Sequence, residues 1–188
     1  QPLSGAVFGS YLAAHPQTAP LLLELARALG SATVVCFDPN VRLALLPDPE
    51  DWKSALDRFL PVIDILKISD EDILHMYGRD ASASKLARGW LDRGVSAVCL
   101  TLGAAGARIY TRDGLELFLP APRIAVADTV GAGDSFLAGL LAHLHRADCL
   151  SAKALGDRQQ LAQALEFAVS TAAFTCQRHG AELPRLEQ

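Results

Sequence analysis

The chain has 188 residues, of which 51% are hydrophobic and 20% are charged, and its formal net charge at pH 7 is −4. This length and composition suffice for one domain with a buried core. The mild acidity and scattered basic residues exclude a basic nucleic-acid surface, the short apolar stretches exclude a transmembrane span, and the first residues lack the basic segment of a signal peptide.

The first half of the chain alternates strand-like and helix-like segments. GAVFGSY (5–11) predicts a short strand, and TAPLLLELARALG (18–30) predicts a helix that ends at Gly30. ATVVCF (32–37) is a continuous apolar run, typical of a strand buried on both faces of a parallel sheet. A helix over 49–61 and a strand over 62–68 follow, and the next helix (69–78) has Ser69 as its N-cap.

The second half continues this alternation. We predict a helix over 82–94, a strand over 96–103 and a hairpin over 107–120 that turns at Asp113-Gly114. Two helices follow, Asp134 to Arg146 and Gln159 to Arg178. The chain is therefore α/β, with a mostly parallel sheet flanked by helices.

The cysteines form no CxxC motif and no Cys/His cluster with zinc-ligand spacing. Two of the four lie inside apolar strand-like runs, where a free thiol behaves as a small hydrophobic side chain. This pattern favours a reducing, cytoplasmic compartment. The four are Cys36, Cys99, Cys149 and Cys176.

The stretch ADTVGAGDSFLAGLLAHL (127–144) is the strongest candidate for a functional site. Its apolar residues from Phe136 to Leu144 fall on one helical face, so the helix begins at about Gly133 or Asp134. The first amides of a helix lack intrahelical partners, and small side chains let an anion approach them. Asp134 could then take a proton from an alcohol while the amides hold a phosphoryl group. The alternative is that Asp134 only caps the helix.

Three other nucleotide or hydrolase motifs are absent. No lysine follows a glycine, so the chain has no P-loop. Phe136 breaks the GxGxxG dinucleotide pattern, and GxSxG does not occur.

The segment DTVGAGDSFLAGLL (128–141) resembles the C-terminal signature of the ribokinase (PfkB-type) family of carbohydrate kinases. Four further segments resemble family segments in the same order: FDPNVR (37–42), DILKISDEDILHMYG (64–78), TLGAAGARIY (101–110) and CQRHGAELP (176–184). Residues 1–188 are thus identified as the C-terminal part of one ribokinase-like domain. FDPNVR and LKISDED favour the fructokinase or 2-keto-3-deoxygluconate kinase branch.

The resemblance implies roles for individual residues. Asp134 would be the catalytic base that acts on the sugar hydroxyl, and Gly131, Ala132 and Gly133 would form the anion hole. Arg42 would contact the substrate or a phosphate. The nucleotide side would be lined by Ser69, Thr101, Gly103, Gly106, Gly133 and Val169.

The resemblance also implies ATP with Mg²⁺, and K⁺ as in potassium-activated members. Asp72 would support the magnesium shell. The monovalent cation would lie among Asp128, Val130, Thr175, Arg178 and Gly180. Alternatives remain open: Gly103 and Gly106 could only form a tight turn, Arg42 could form a surface ion pair, and the acids after Ser69 could only cap a helix.

Several positions depart from the family pattern. Ser69 and Asp72 stand where the family has Asn and Glu, and Val169 stands where many members have Asn near the adenine. Glu182 and Pro184 replace smaller polar residues in the cation loop, which puts potassium activation in doubt.

The family's N-terminal sugar-binding segments and β-lid have no counterpart in this sequence, which begins at Gln1 and has Met76 as its only methionine. We therefore expect the N-terminal portion to be absent. The expected function is an ATP-dependent sugar kinase whose partners are ATP and a small sugar, with no nucleic acid or membrane. Alternatives are a truncated, non-catalytic nucleotide-binding domain and a pyridoxal-type kinase. An open sheet edge would allow a homodimer.

Overall fold

A computed structural model describes residues 3–151 and 154–180 and shows a six-stranded sheet with helices on both faces. The strands are β1 (Gly5–Gly9), β2 (Val34–Asp38), β3 (Ile65–Ser69), β4 (Ala97–Thr101), β5 (Ala107–Thr111) and β6 (Glu116–Leu119). The helices are α1 (Ser10–Ala14), α2 (Ala19–Ala28), α3 (Pro49–Phe59), α4 (Asp70–Tyr77), α5 (Ala83–Asp92), α6 (Ala132–Arg146) and α7 (Arg158–Cys176). Short 3₁₀ turns lie at Leu60–Val62, Gly103–Ala105 and Ala154–Gly156.

The strands lie in chain order across the sheet, as β1-β2-β3-β4-β5-β6. The first four pair in parallel, and β4, β5 and β6 pair antiparallel, so the expected mostly parallel sheet is confirmed. The parallel strands place their carboxyl ends at one edge, where open α/β sheets bind ligands. Ser69 lies beside Thr101 in the β3–β4 register at this edge.

Each face of the sheet buries its own hydrophobic core. On one face, α1 to α5 cover a cluster that includes Phe37, Phe59 and Leu66. On the other face, α6 and α7 cover a cluster that includes Cys36 and Ile65. Neighbouring strand residues alternate between the two clusters because strand side chains point alternately to opposite faces.

The first predicted strand is too long. β1 ends at Gly9, and Ser10 and Tyr11 belong to α1. Gly9 is the last partner of β2, opposite Asp38. Pro39 follows β2 directly and cannot donate a ladder hydrogen bond. The pairing of β1 with β2 therefore ends at Gly9.

The last two predicted helices are confirmed, with shifted ends. α6 begins at Ala132, two residues before Asp134, because Gly131 takes a left-handed conformation (φ 79°) and is the N-cap. α7 runs from Arg158 to Cys176 and begins one residue earlier than expected, because the side chain of Asp157 accepts from the amides of Gln159 and Gln160.

Candidate active site

The first turn of α6 leaves two backbone amides available. The amide of Ala132 donates to the Thr129 carbonyl (3.2 Å), and that of Ser135 donates to the Gly131 carbonyl (2.8 Å). The amides of Gly133 and Asp134 have no acceptor among the residues that the structure describes. Together with the helix dipole, they form a positive site of the kind that binds phosphate groups.

Asp134 exposes its side chain at this turn. Its carboxylate has no hydrogen bond or ion pair with any described residue, and α6 has no side-chain cap. Asp134 therefore makes no capping hydrogen bond in the described structure, and its structural alternative is the favourable effect of a first-turn acid on the helix dipole. An unengaged carboxylate beside free amides is suited to act as a general base.

A buried ion pair lies beneath this turn. The Lys67 ammonium donates to Asp38 Oδ2 at 2.8 Å, and the two side chains are 4% and 8% exposed. Burial raises the pKa of Asp38, and Lys67 opposes that rise. Sequence reasoning did not single out Lys67, although a lysine inside the apolar run DILKI is itself an unusual signal.

Lys67 lies opposite the buried thiol of Cys99 in the β3–β4 register. Burial raises the pKa of Cys99 to about 12, and the nearby Lys67 opposes that rise. Burial likewise raises the pKa of Cys36. Both thiols therefore stay protonated at neutral pH and act as packing groups.

Asp72 is buried at the start of α4 and is fully engaged. Its Oδ1 accepts from the Val41 amide (2.8 Å), and its Oδ2 accepts from the Ser69 amide (3.0 Å) and hydroxyl (2.6 Å). The Ser69 hydroxyl in turn accepts from the Asp72 amide, which completes a capping box. The capping interpretation of these residues is confirmed. Their predicted roles beside Mg²⁺ and nucleotide remain predictions, and Asp72 could act on a metal only through water.

The turn from Thr101 to Gly106 lies at the same sheet edge. The amide of Leu102 donates to the Gly106 carbonyl at 2.8 Å, and Gly103 and Gly106 have positive φ values of 52° and 110°. A Cβ at Gly106 would lie 2.0 Å from the Leu119 carbonyl oxygen. The tight-turn interpretation of both glycines is thus confirmed, and their nucleotide-binding role remains a prediction.

The predicted cation loop is held together by Asp128. Its carboxylate accepts from the amides of Val130 (3.0 Å) and Gly180 (2.9 Å), and these bonds lower its pKa. Backbone amides of Ala127 and Asp128 also donate to the Cys176 carbonyl. Each carboxylate oxygen keeps a lone pair after these bonds, so Asp128 and the backbone carbonyls of the loop stay predicted ligands of a monovalent cation.

Two further residues of the predicted cation site, Thr175 and Arg178, lie at the end of α7 and just after it. The buried hydroxyls of Ser135 and Thr175 are 2.7 Å apart and join the start of α6 to the end of α7. The Arg178 guanidinium stacks on Phe174 and donates to its carbonyl at 3.0 Å. Glu182 and Pro184 lie outside the described residues.

Two predicted contacts remain, Arg42 and Val169. Arg42 is exposed and donates to the Val41 carbonyl at 2.9 Å; within residues 3–151 and 154–180 it forms no salt bridge, so the ion-pair alternative gains no support. Val169 is 6% exposed and packs in the core under α6 and α7, which leaves little of it for a nucleotide to contact.

Comparison with known proteins gives the family. The profile of the pfkB family of carbohydrate kinases matches residues 8–188. The chain belongs to this family. The turns at the carboxyl ends of its parallel strands and the first turn of α6 are therefore parts of a pfkB-family fold.

Curated relatives carry two kinds of name. The fructokinase of Rhizobium leguminosarum bv. trifolii is 35% identical over 159 residues, which are 85% of this chain and 47% of that protein. The aminoimidazole riboside kinase of Salmonella typhimurium is 35% identical over 161 residues, 85% of this chain and 48% of that protein. The chain thus spans about half the length of these relatives.

Solved structures agree with the fold. The aminoimidazole riboside kinase of Salmonella enterica, complexed with aminoimidazole riboside and an ATP analogue, superposes with a TM-score of 0.80 and 30% identity. The match covers 96% of this chain and 60% of that chain. A fructokinase of Vibrio cholerae matches with a TM-score of 0.75 and 23% identity, over 95% of this chain and 56% of that one, which shows the fold alone.

The described part of the chain contains neither a membrane-spanning helix nor a cluster of metal-binding side chains. No helix there is long and apolar enough to cross a membrane. No group of three or more His, Cys, Asp or Glu side chains there could hold a metal ion.

Proposed function

We propose that the chain is the phosphoryl-transfer core of an ATP-dependent sugar kinase. The acceptor is a hydroxyl of a small, fructose-like sugar or sugar acid. One observation carries the proposal: the exposed, unpaired carboxylate of Asp134 stands beside the acceptor-free amides of Gly133 and Asp134. Membership of the pfkB family supports this chemistry over other uses of a phosphate site.

The first turn of α6 would hold the charge of the γ-phosphoryl group during transfer. Phosphoryl transfer requires positioning and charge stabilisation more than covalent participation. The free amides and the helix dipole supply both, with Gly131, Ala132 and Gly133 leaving room for the anion.

Asp134 would act on the acceptor. As the sugar oxygen bonds to the γ-phosphorus, the bond from that phosphorus to the β–γ bridging oxygen breaks, and the hydroxyl proton passes to the Asp134 carboxylate. The products are ADP and a sugar phosphate. No residue in the described part of the chain bonds to the Asp134 carboxylate, which keeps both of its oxygens free for this proton.

ATP brings Mg²⁺, which neutralises the phosphate charge when bound. The predicted contacts on the nucleotide side stay predictions, namely Ser69, Thr101, Gly103, Gly106, Gly133 and Val169. Asp72 stays a predicted support of the magnesium shell. K⁺ stays a prediction for the loop that Asp128 closes. Arg42 stays a predicted contact to the substrate or a phosphate. We also propose the cytoplasm as the compartment, which rests on four free cysteines.

The names of the relatives narrow the choice of compound that accepts the phosphoryl group. Those described above are named for fructose or for aminoimidazole riboside. They favour a sugar acceptor over the pyridoxal-type alternative, and an aminoimidazole riboside acceptor is the second candidate.

A substrate panel tests the proposal. The full-length gene product and the 188-residue chain are each given MgATP with fructose, 2-keto-3-deoxygluconate, ribose, aminoimidazole riboside or pyridoxal, and ADP formation is followed. We expect the gene product to turn over fructose or the keto-deoxy acid. Turnover of pyridoxal alone, or MgATP binding without turnover of any compound, would contradict the proposal.

A further inference from the structure

The buried ion pair of Asp38 and Lys67 is oriented with one end toward α6. Asp38 is the last residue of β2 and Lys67 is the middle residue of β3, and both lie on the face that α6 covers. A Cβ built on Gly133 would lie 2.9 Å from Lys67 Nζ and 3.6 Å from Lys67 Cε. No atom of Asp38 comes within 4 Å of that point. The cationic end of the pair therefore faces the first turn of α6.

An ion pair that only stabilised the fold would not be expected to turn its ammonium toward the N-terminus of a helix. The N-terminus of a helix carries partial positive charge, so a cation placed there destabilises the helix. The ammonium has three N–H donors, and Asp38 is its one hydrogen-bond acceptor among the described residues. A buried pair of this kind is often no more stabilising than two apolar side chains.

Positive charge concentrated at the first turn of α6 is favourable if an anion binds there. Lys67, the free amides of Gly133 and Asp134 and the dipole of α6 all act in the same sense. Because the Lys67 side chain is only 4% exposed, its charge acts on a phosphoryl anion with less screening than a surface charge would. The absence of a side chain at Gly133 is what allows the ammonium this close to the turn.

We propose that Lys67 is a positioning residue of phosphoryl transfer, which seats the first turn of α6 through Gly133 and raises its positive potential for the transferred group. Asp38 holds the ammonium in place. This inference rests on the proposed kinase function, and it assigns to this pair a part of the charge stabilisation that the amides alone do not supply.

The test separates charge from fold. Lys67→Met alone leaves Asp38 buried without a partner and is expected to lower the unfolding temperature. The double variant Asp38→Asn with Lys67→Met removes both charges, so we expect it to unfold within about 4 °C of the wild type. Lys53→Met is the matched control, because it removes a lysine that pairs with Glu50 on the surface of α3.

We expect the folded double variant to lose about 10²-fold in kcat, with KM for MgATP changed by less than about threefold. Calorimetry should show weaker binding of MgADP with aluminium fluoride and sugar, a mimic of the transferring group, and unchanged binding of MgADP alone. Lys53→Met should keep wild-type values.

The outcomes distinguish the two proposals. Wild-type kcat and wild-type affinity for the aluminium fluoride complex in the double variant would overturn the role of Lys67 and leave the kinase function standing. A wild-type gene product that phosphorylates no acceptor in the panel would overturn both.

Discussion

At the scale of single residues, four aspartates near the sheet edge differ in what surrounds them. Asp38 pairs with a buried ammonium, Asp72 accepts from a capping box, and Asp128 ties two loops together. Asp134 alone of these four has no partner in the described structure. All four are aspartates in the sequence, and only their surroundings in the fold show which carboxylate is free to take a proton.

Two helical glycines should respond in opposite ways to replacement by alanine. At Gly139, in α6, a Cβ would lie 2.8 Å from Thr171 Oγ1 and 3.1 Å from the Ala168 Cα of α7. At Gly89, in α5, a Cβ would meet no atom within 4 Å. We expect Gly139→Ala to lower the free energy of unfolding by about 1–3 kcal/mol because α6 and α7 must separate. Gly89→Ala should raise it by about 0.5–1 kcal/mol because alanine favours the helix.

Urea denaturation of the two variants and the wild type measures both effects. Each change adds one methyl group inside a helix, so each controls for the other. A Gly139→Ala protein as stable as the wild type would show that α6 and α7 do not pack as closely as the structure has them.

At the scale of elements, local signals predicted most of the secondary structure. Asp113-Gly114 predicted the hairpin that joins β5 and β6, where Gly114 has φ 88°. Ser69 predicted the start of α4, and its capping box is present. These predictions succeed because turn and cap chemistry depends on neighbours in the chain.

Features that depend on distant segments were not predictable in this way. The end of β1 depends on where β2 leaves the sheet, 30 residues later. The strand period places Lys67 on a face, but its contact with Gly133 requires the position of α6, which only the folded chain provides. The resemblance to a family supplied the role of Asp134, and it supplied none for Lys67.

At the scale of the whole molecule, one side of the sheet is open. Among residues 3–151 and 154–180, β1 is an edge strand that pairs with β2 alone, and Val7 is 53% exposed on it. A groove of about 470 Å³ lies beside it and is lined by Leu3, Ser4, Gly5, Val7, Leu141, Ala142, His145 and Leu150. Unpaired strand edges and exposed apolar grooves favour association with another chain.

We therefore expect the 188-residue chain to form dimers through β1 as its concentration rises. Light scattering coupled to size exclusion measures this, and Val7→Lys should shift the equilibrium toward monomer because a charge on the edge opposes strand pairing. Leu21→Lys is the control, since it alters an apolar side chain on α2 that is 65% exposed. A stable monomer at high concentration would contradict the expectation.

The turnover of Asp134→Asn tests most directly whether the first turn of α6 carries the chemistry. The substitution keeps the size of the side chain and removes its ability to take a proton. In the full-length gene product, with the sugar that the panel identifies, we predict a kcat lower by about 10²–10⁴-fold with MgATP affinity little changed. Wild-type turnover in this variant would contradict the assignment of the base and, with it, the proposed site.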